Sequence, residues 1–383
     1  MSPSRHYLSL FEFTGSLAVW HTTLDGDDEP SGTILDVDDV DDVLESAYEW
    51  WPLSIVGADP ELDLGAALRA AADPLKESAA AENLGELLLP EGLVDRVDLA
   101  TSSRRPQLVV NPSPSLASLP WEILTLPGDG RRLVEVFDVR MAVPATVVGA
   151  FRPPGREYYS EAVFVVDPVT RLGRVLPTES VSAWERRIGT APWFPQEFVD
   201  REMLKAHLLT QQPRRLTFFG HCLPAAEDAS AAGIMLSDHA AVPGATRSVS
   251  GGRPLAAHDL LAESAGNGDA GMWSLPPNVG LVACGSGLDQ AFPEPLGLVA
   301  AVMERGADVV MASRWTLPSD QTTGGATTAL GLAVDEALAS SDPISHLNEW
   351  KRQQLRAWVD APSLGTSPVL WASIAAYSMP SAS

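Results

Sequence analysis

The chain has 383 residues, enough for two or three domains by length and for a large buried core without covalent staples. Hydrophobic residues make up 45% and charged residues 20%, the balance of a folded protein and not of a disordered one. Lys and Arg total 26 against 50 Asp and Glu, a net charge of −24, which argues against a nucleic-acid binder and against docking on anionic lipid.

Along the chain, Tyr7 to Phe13 alternates and is aromatic-rich, which predicts a strand. From Asp25 to Glu49 come eleven acidic residues and no Lys or Arg. Val40, Val43, Leu44, Ala47, Tyr48 and Trp51 recur at helical spacing within it, so the segment reads as an amphipathic helix. Asp38 or Asp39 would cap that helix, and Asp41 and Asp42 would lie in its first turn. Its acidic face reads first as a solvated surface, and second as a docking surface for a basic partner. Residues 61–89 suggest two short helices, followed by a strand at Gln107–Asn111, the segment Leu119–Leu124, and a strand around Val134–Val143. The Pro/Gly-rich joint Arg152–Gly155 divides an N-terminal region, residues 1–150, from a C-terminal one, residues 151–383.

Beyond the joint, apolar strands alternate with helices. Strands are expected at 161–167, 215–219, 233–237, 279–283, 308–312 and 369–375. Helices are expected at 178–188, 202–209, 255–262, 295–305, 319–339 and 343–358. That order predicts an α/β fold with a mainly parallel central sheet flanked by helices. The loops at 240–254 and 264–278 are rich in small and turn residues, and are where self-cleavage would be sought. No run of eighteen apolar residues suggests a membrane helix, and the first twenty residues do not read as a signal peptide, so a cytoplasmic location is expected.

Two of these strands run into reactive residues. Leu216–Phe219 leads into Gly220-His221, and Val279–Ala283 leads into Cys284, followed by Gly285-Ser286-Gly287. In an open α/β sheet, functional groups gather at the carboxyl ends of the strands. Adjacent strands would therefore bring a thiol and an imidazole to one edge, as a nucleophile and its base. The glycines after Cys284 would let the backbone approach a substrate and offer N–H groups to an oxyanion. The same spacing also fits a small core cysteine and a structural histidine, and spacing alone leaves both readings open. Other chemistries lack their residues. There is no Gly-rich phosphate loop with a lysine, no Gly-x-Gly-x-x-Gly after a strand, and no Gly-x-Ser-x-Gly around Ser286. His207, His221, His239 and His258 lack metal-ligand spacing, and two cysteines, Cys222 and Cys284, build neither a disulfide framework nor a four-thiolate zinc site. No metal and no cofactor is expected.

Four ordered segments, Leu119-Pro-Trp-Glu-Ile-Leu124, Leu216-Thr-Phe-Phe-Gly-His221, Val282-Ala-Cys-Gly-Ser-Gly287 and Val309-Val-Met-Ala-Ser-Arg-Trp315 with Asp320, resemble the CHAT family, bacterial relatives of caspases and separase. Pro295-Leu-Gly-Leu, Gly306-Ala and Trp371-Ala also fit, so the resemblance spans roughly residues 60–378. It implies a caspase-like fold for the C-terminal region, with the N-terminal region a pseudo-caspase-like or accessory α/β unit. It also implies a cysteine endopeptidase with His221 as general base and Cys284 as nucleophile, acting on a protein substrate, with an activating protein partner and a role in bacterial antiviral defence or regulated proteolysis. Relatives in the clan cut after basic residues or after Asp. Asp289, Trp315 and Asp320 are the candidates for substrate contact, and Glu294 joins Asp289 and Asp320 as candidates for orienting His221. The family usually has Gly directly after the catalytic His, where its N–H helps hold the oxyanion. Here that position is Cys222, so the oxyanion donors would be the backbone N–H groups of Cys222 and Cys284. If the backbone at 222 needs positive φ, a Cys there is strained. The rival expectation is an inactive caspase-like scaffold that binds partners.

Overall fold

The computed structural model describes residues 4–23, 30–48, 72–91, 93, 104–143, 147, 157–189, 192–223, 228–262, 273–287 and 297–379. Its contacts divide the chain into two compact units, 1–142 with 344–373, and 143–343 with 374–383. The expected division at the Arg152–Gly155 joint placed all of 344–373 in the second region, whereas its contacts lie in the first.

In the first unit, β1 (Arg5–Phe13), β2 (Ser16–Thr23) and β3 (Ser31–Asp36) form an antiparallel meander. β4 (Gln107–Asn111) pairs parallel to β1, and β5 (Asp138–Met141) pairs parallel to β4. The order is β3-β2-β1-β4-β5. Alternation sends His6, Leu8, Leu10, Leu17, Val19 and His21 into the core, each no more than 2% exposed. The acidic helix runs Val37–Tyr48, three residues earlier than its apolar spacing suggested. Asp36, and not Asp38 or Asp39, serves its start by accepting from the Asp38 N–H at 3.0 Å. Within 61–89 the described part is one helix, Pro74–Leu88, capped by Asp73 and begun by Pro74; the earlier expected helix and Trp51 lie outside the described residues. The expected strand at Val134–Val143 is instead a helical turn, Leu133–Val136, followed by β5.

The long helix Pro343–Asp360 belongs to this unit and is joined to it by buried polar contacts. The Asn348 side chain accepts from the Val139 N–H at 3.1 Å and donates to the Val139 carbonyl at 3.0 Å. Arg352 pairs with Asp138 at 2.9 Å, and Lys351 pairs with Glu122 at 2.6 Å. Trp121 and Glu122, the centre of Leu119–Leu124, are 0% and 1% exposed. That segment is therefore core: a packed indole beside a buried ion pair.

In the second unit, β6 (Ser160–Val166), β7 (Pro213–Phe219), β11 (Asn278–Val282) and β12 (Val309–Ser313) are parallel neighbours in that order, and β13 (Ile374–Ser378) closes on β12 antiparallel. Three two-residue strands, β8 (Cys222–Leu223), β9 (Gly233–Ile234) and β10 (Leu255–Ala256), form a small antiparallel ladder. The parallel strands are nearly continuous apolar runs, as strands covered by helices must be. Helix Ala326–Ala339 lies so close to the sheet that a Cβ on Gly331 would come within 2.7 Å of the Phe219 ring and 2.8 Å of Trp184. Its Asp335 is fully buried, accepting from Thr217 at 2.9 Å and pairing with Arg187 and Arg215 at 2.5 and 2.9 Å. The expected helix 319–339 is two helices, Asp320–Thr323 and Ala326–Ala339, because Gly324 and Gly325 take φ of 63° and 93°.

Candidate active site

β7 and β11 are direct neighbours, with their paired register running from Arg215 opposite Asn278 to Phe219 opposite Val282. The Gly220 N–H carries the ladder one step further, donating to the Val282 carbonyl at 3.3 Å. His221 and Cys284 each stand two residues past the last paired position, so both leave the same carboxyl edge at the same level.

His221 is half-buried, and its Nε2 lies 3.3 Å from the Gly173 carbonyl. A carbonyl only accepts, so Nε2 carries the proton and Nδ1 is left as the basic nitrogen. Gly173 sits in the loop that follows β6, and Asp167 organises that loop. Asp167 is 1% exposed with φ of 47°, and its carboxylate accepts from the N–H groups of Val175 and Leu176 at 2.9 and 3.2 Å and from the Gln196 amide at 2.9 Å. In the sequence Asp167 is marked only as an acidic residue that ends an apolar strand before Pro168, which is too little to single it out.

Cys284 is partly accessible, yet burial of its surroundings pushes the thiol above its ordinary value of 9.0. The backbone N–H groups of Leu317 and of Cys284 itself act against that rise. Neither cysteine is in a disulfide. The residues after Cys284 make a tight turn tied to β12. Gly285 takes φ of 64° and donates to the Trp315 carbonyl at 3.2 Å, while Gly287 donates to the Ser313 carbonyl at 2.8 Å. The Ser286 hydroxyl donates to the Leu281 carbonyl at 2.7 Å and accepts from the Ser313 N–H at 3.0 Å. The Tyr377 hydroxyl donates to the Gly287 carbonyl at 2.8 Å. This corrects the expectation that the two glycines offer N–H groups to an oxyanion. Their amides are already bonded, that of Gly287 to β12 and that of Gly285 to Trp315 just beyond it, and the glycines serve the positive φ and a close approach in which a Cβ on Gly287 would meet Ala312 at 3.0 Å.

Cys222 lies in β8 opposite Ile234 and is 6% exposed. It is extended and absent from the residues with positive φ, so Cys in place of Gly carries no backbone strain here. Trp315 is 1% exposed and packed in the core, contributing its carbonyl to Gly285. Asp320 is 3% exposed; its carboxylate accepts from the Thr328 N–H at 2.8 Å and hydroxyl at 2.5 Å, which ties together the two helices around Gly324 and Gly325. Asp289 and Glu294 lie outside the described residues. Among the described residues no group of three or more His, Cys, Asp or Glu could hold a metal ion, and no helix is long and apolar enough to cross a membrane. A cavity of about 380 Å³ opens beyond the β6 loop, between Val169, Thr170 and Arg171 on one side and Phe198, Leu236 and Val242 on the other.

No curated protein matches this chain. Two solved structures of the Saccharomyces cerevisiae separase–securin complex are similar to it, with TM-scores of 0.48 and 0.46 at 10% and 9% identity. The alignments cover 99% and 98% of this chain and 30% of the other, so the chain spans about a third of the length of the protein it matches. The model of one protein family, described as the CHAT domain, matches residues 78–377, taking in parts of both units and all four of the ordered segments. By that match, over most of its length, the chain belongs to the CHAT-domain family.

Proposed function

We propose that the chain is a cysteine endopeptidase that cleaves a protein substrate through Cys284 and His221. The observation that carries the reading is the level exit of these two residues from adjacent parallel strands, with the Gly173 carbonyl holding the imidazole in one tautomer. His221 Nδ1 takes the Cys284 proton as the sulfur attacks a backbone carbonyl of the substrate, forming a carbon–sulfur bond and an oxyanion. The N–H groups of Cys222 and Cys284 stabilise that oxyanion. The imidazolium returns its proton to the leaving amine as the peptide bond breaks, and water then hydrolyses the thioester, regenerating thiol and carboxylate. The raised thiol pKa fits a site whose thiol is neutral at rest and gives up its proton only as attack begins. The net charge of −24 favours encounter with a basic substrate segment. The cytoplasm, where free thiols persist, suits the site, and family likeness suggests an activating protein partner and a place in bacterial antiviral defence or regulated proteolysis.

One observation favours a second reading, a scaffold without activity: burial raises the Cys284 pKa instead of lowering it, and an unassisted neutral thiol is a poor nucleophile. Labelling with a thiol-reactive peptide electrophile separates the two. The peptidase labels at Cys284, loses that labelling strongly in His221→Ala, and yields peptide fragments from a proteome that Cys284→Ala does not. Labelling that ignores the loss of His221, with no fragments, establishes the scaffold.

A further inference from the structure

The meander β1-β2-β3 has one face packed on the core and one bare face that is unusually apolar. Phe11, Phe13 and Trp20 are 53%, 50% and 46% exposed, and Ile34 is 69% exposed. The register joins them: Ile34 stands opposite Ala18, which stands opposite Phe11, and Trp20 stands opposite Gly32 in the next row. The Trp20 ring lies down on Gly32, where a Cβ would come within 2.3 Å of it. Exposed aromatics gathered on one sheet face are characteristic of a binding surface.

β3 is the outer strand of this sheet; among the described residues no strand pairs with its outer edge, and that edge is not blunted in the usual ways. Ser31 to Asp36 contains no Lys and no Pro, and its pairing with β2 runs without a bulge from Ser31 opposite His21 to Asp36 opposite Ser16. At the Asp36 end of the meander, a cavity of about 420 Å³ is walled by Phe13, Leu17, Val37 and Val40. The described residues that line it include two carboxylates, Glu12 and Asp41, and no basic group. The Ser115 hydroxyl donates to Glu12, which fixes that carboxylate at the rim. Asp36, Asp38, Asp39 and Asp42 surround the same end.

We propose that this end of the first unit docks an extended, cationic segment of a partner protein, which adds to β3 as a further strand. Successive side chains of a strand point to opposite faces. An apolar–basic alternation therefore lays its apolar residues beside Ile34 and the Trp20 ring, a face that Phe11 continues two strands further in, and turns its Lys or Arg to the opposite face, toward Asp38 and Asp41 at the acidic start of the helix. Charge selects against a second copy as the occupant: two chains of net charge −24 would meet through their most acidic segments.

The test uses the full chain and a fluorescein-labelled peptide of about eight residues, a usual strand length, alternating valine and lysine, read by anisotropy. The control peptide has the same charge but proline in place of valine, which cannot pair as a strand. The alternating peptide is expected to bind at least about tenfold more tightly than the proline control, and Ile34→Lys or the pair Asp38→Asn and Asp41→Asn is expected to weaken it about tenfold each, near 1.4 kcal/mol. Equal binding of the two peptides, indifference to these surface changes, or self-association of the free chain that Ile34→Lys abolishes would overturn the proposal.

Discussion

Lys351 and Glu122 offer a sharp test of what holds the first unit together. Their charges meet at 2.6 Å with both side chains 1% exposed, between the long helix Pro343–Asp360 and the short turn Trp121–Ile123. Replacing Lys351 with Met keeps the side-chain volume and removes the charge. Glu122 is then buried without its cation, and that situation costs about 3–5 kcal/mol in comparable buried pairs. Urea unfolding should show this as a fall in the midpoint at unchanged slope, followed by the fluorescence of the tryptophans, of which Trp121 and Trp358 are in this unit's core. The double variant Lys351→Met with Glu122→Leu removes both desolvation penalties together and should recover at least about half of the loss, since the net worth of a buried pair over apolar replacements is small. A single variant that loses under about 1 kcal/mol would refute the reasoning, because the pair would then not be confined to a dry environment. A double variant as damaged as the single would refute it too, by showing that lost packing and not stranded charge set the cost.

Three further outcomes concern the second unit. Alkylation of Cys284 by iodoacetamide should keep accelerating as pH rises and level off only above 9.0, because burial disfavours the thiolate; a plateau below about pH 8 would show a thiolate stabilised at rest. The same shift has a sign for stability: the folded chain holds the thiol proton more tightly than the unfolded chain does, so this contribution is present below the unfolded pKa and is lost as pH climbs through the folded one, a slope that Cys284→Ala should remove. Asp167→Ala should slow labelling of Cys284 by a peptide electrophile about tenfold or more while leaving its rate with iodoacetamide nearly unchanged, because it frees the loop that carries the Gly173 carbonyl to His221. Equal slowing with both reagents would assign Asp167 to folding alone.

The strands that position His221 and Cys284 were legible because they are apolar runs that stop at small residues, a pattern local enough to survive without coordinates. Their shared edge followed from the α/β order, but their shared level depends on register, which no single strand encodes. Where local signals competed, boundaries moved. Val369 to Ala375 reads as one apolar strand, yet Ser367 caps and Pro368 starts a helical turn, Pro368–Trp371, before β13 begins at Ile374. The pair Lys351–Glu122 spans 229 residues, and no spacing rule reaches that far.

On the proposed peptidase reading, the motif residues divide in the same way between chemistry and support. Trp121, Glu122, Ser286, Gly287, Trp315 and Asp320 all belong to the segments that identify the family, and each of them has a packing or bonding task in this fold. Removing them would harm a peptidase and a scaffold alike. His221 and Cys284 are different: each is only partly buried, and each stands beyond the end of a strand whose geometry is satisfied without it. An imidazole bonded to a loop carbonyl, and a thiol leaving the next strand at the same level, add nothing to the core that apolar residues would not add better. On the peptidase reading, the loop that Asp167 folds around Gly173 is a device for aiming one nitrogen, and the reactivity of the thiol toward a peptide electrophile is the property in which that aim should be felt.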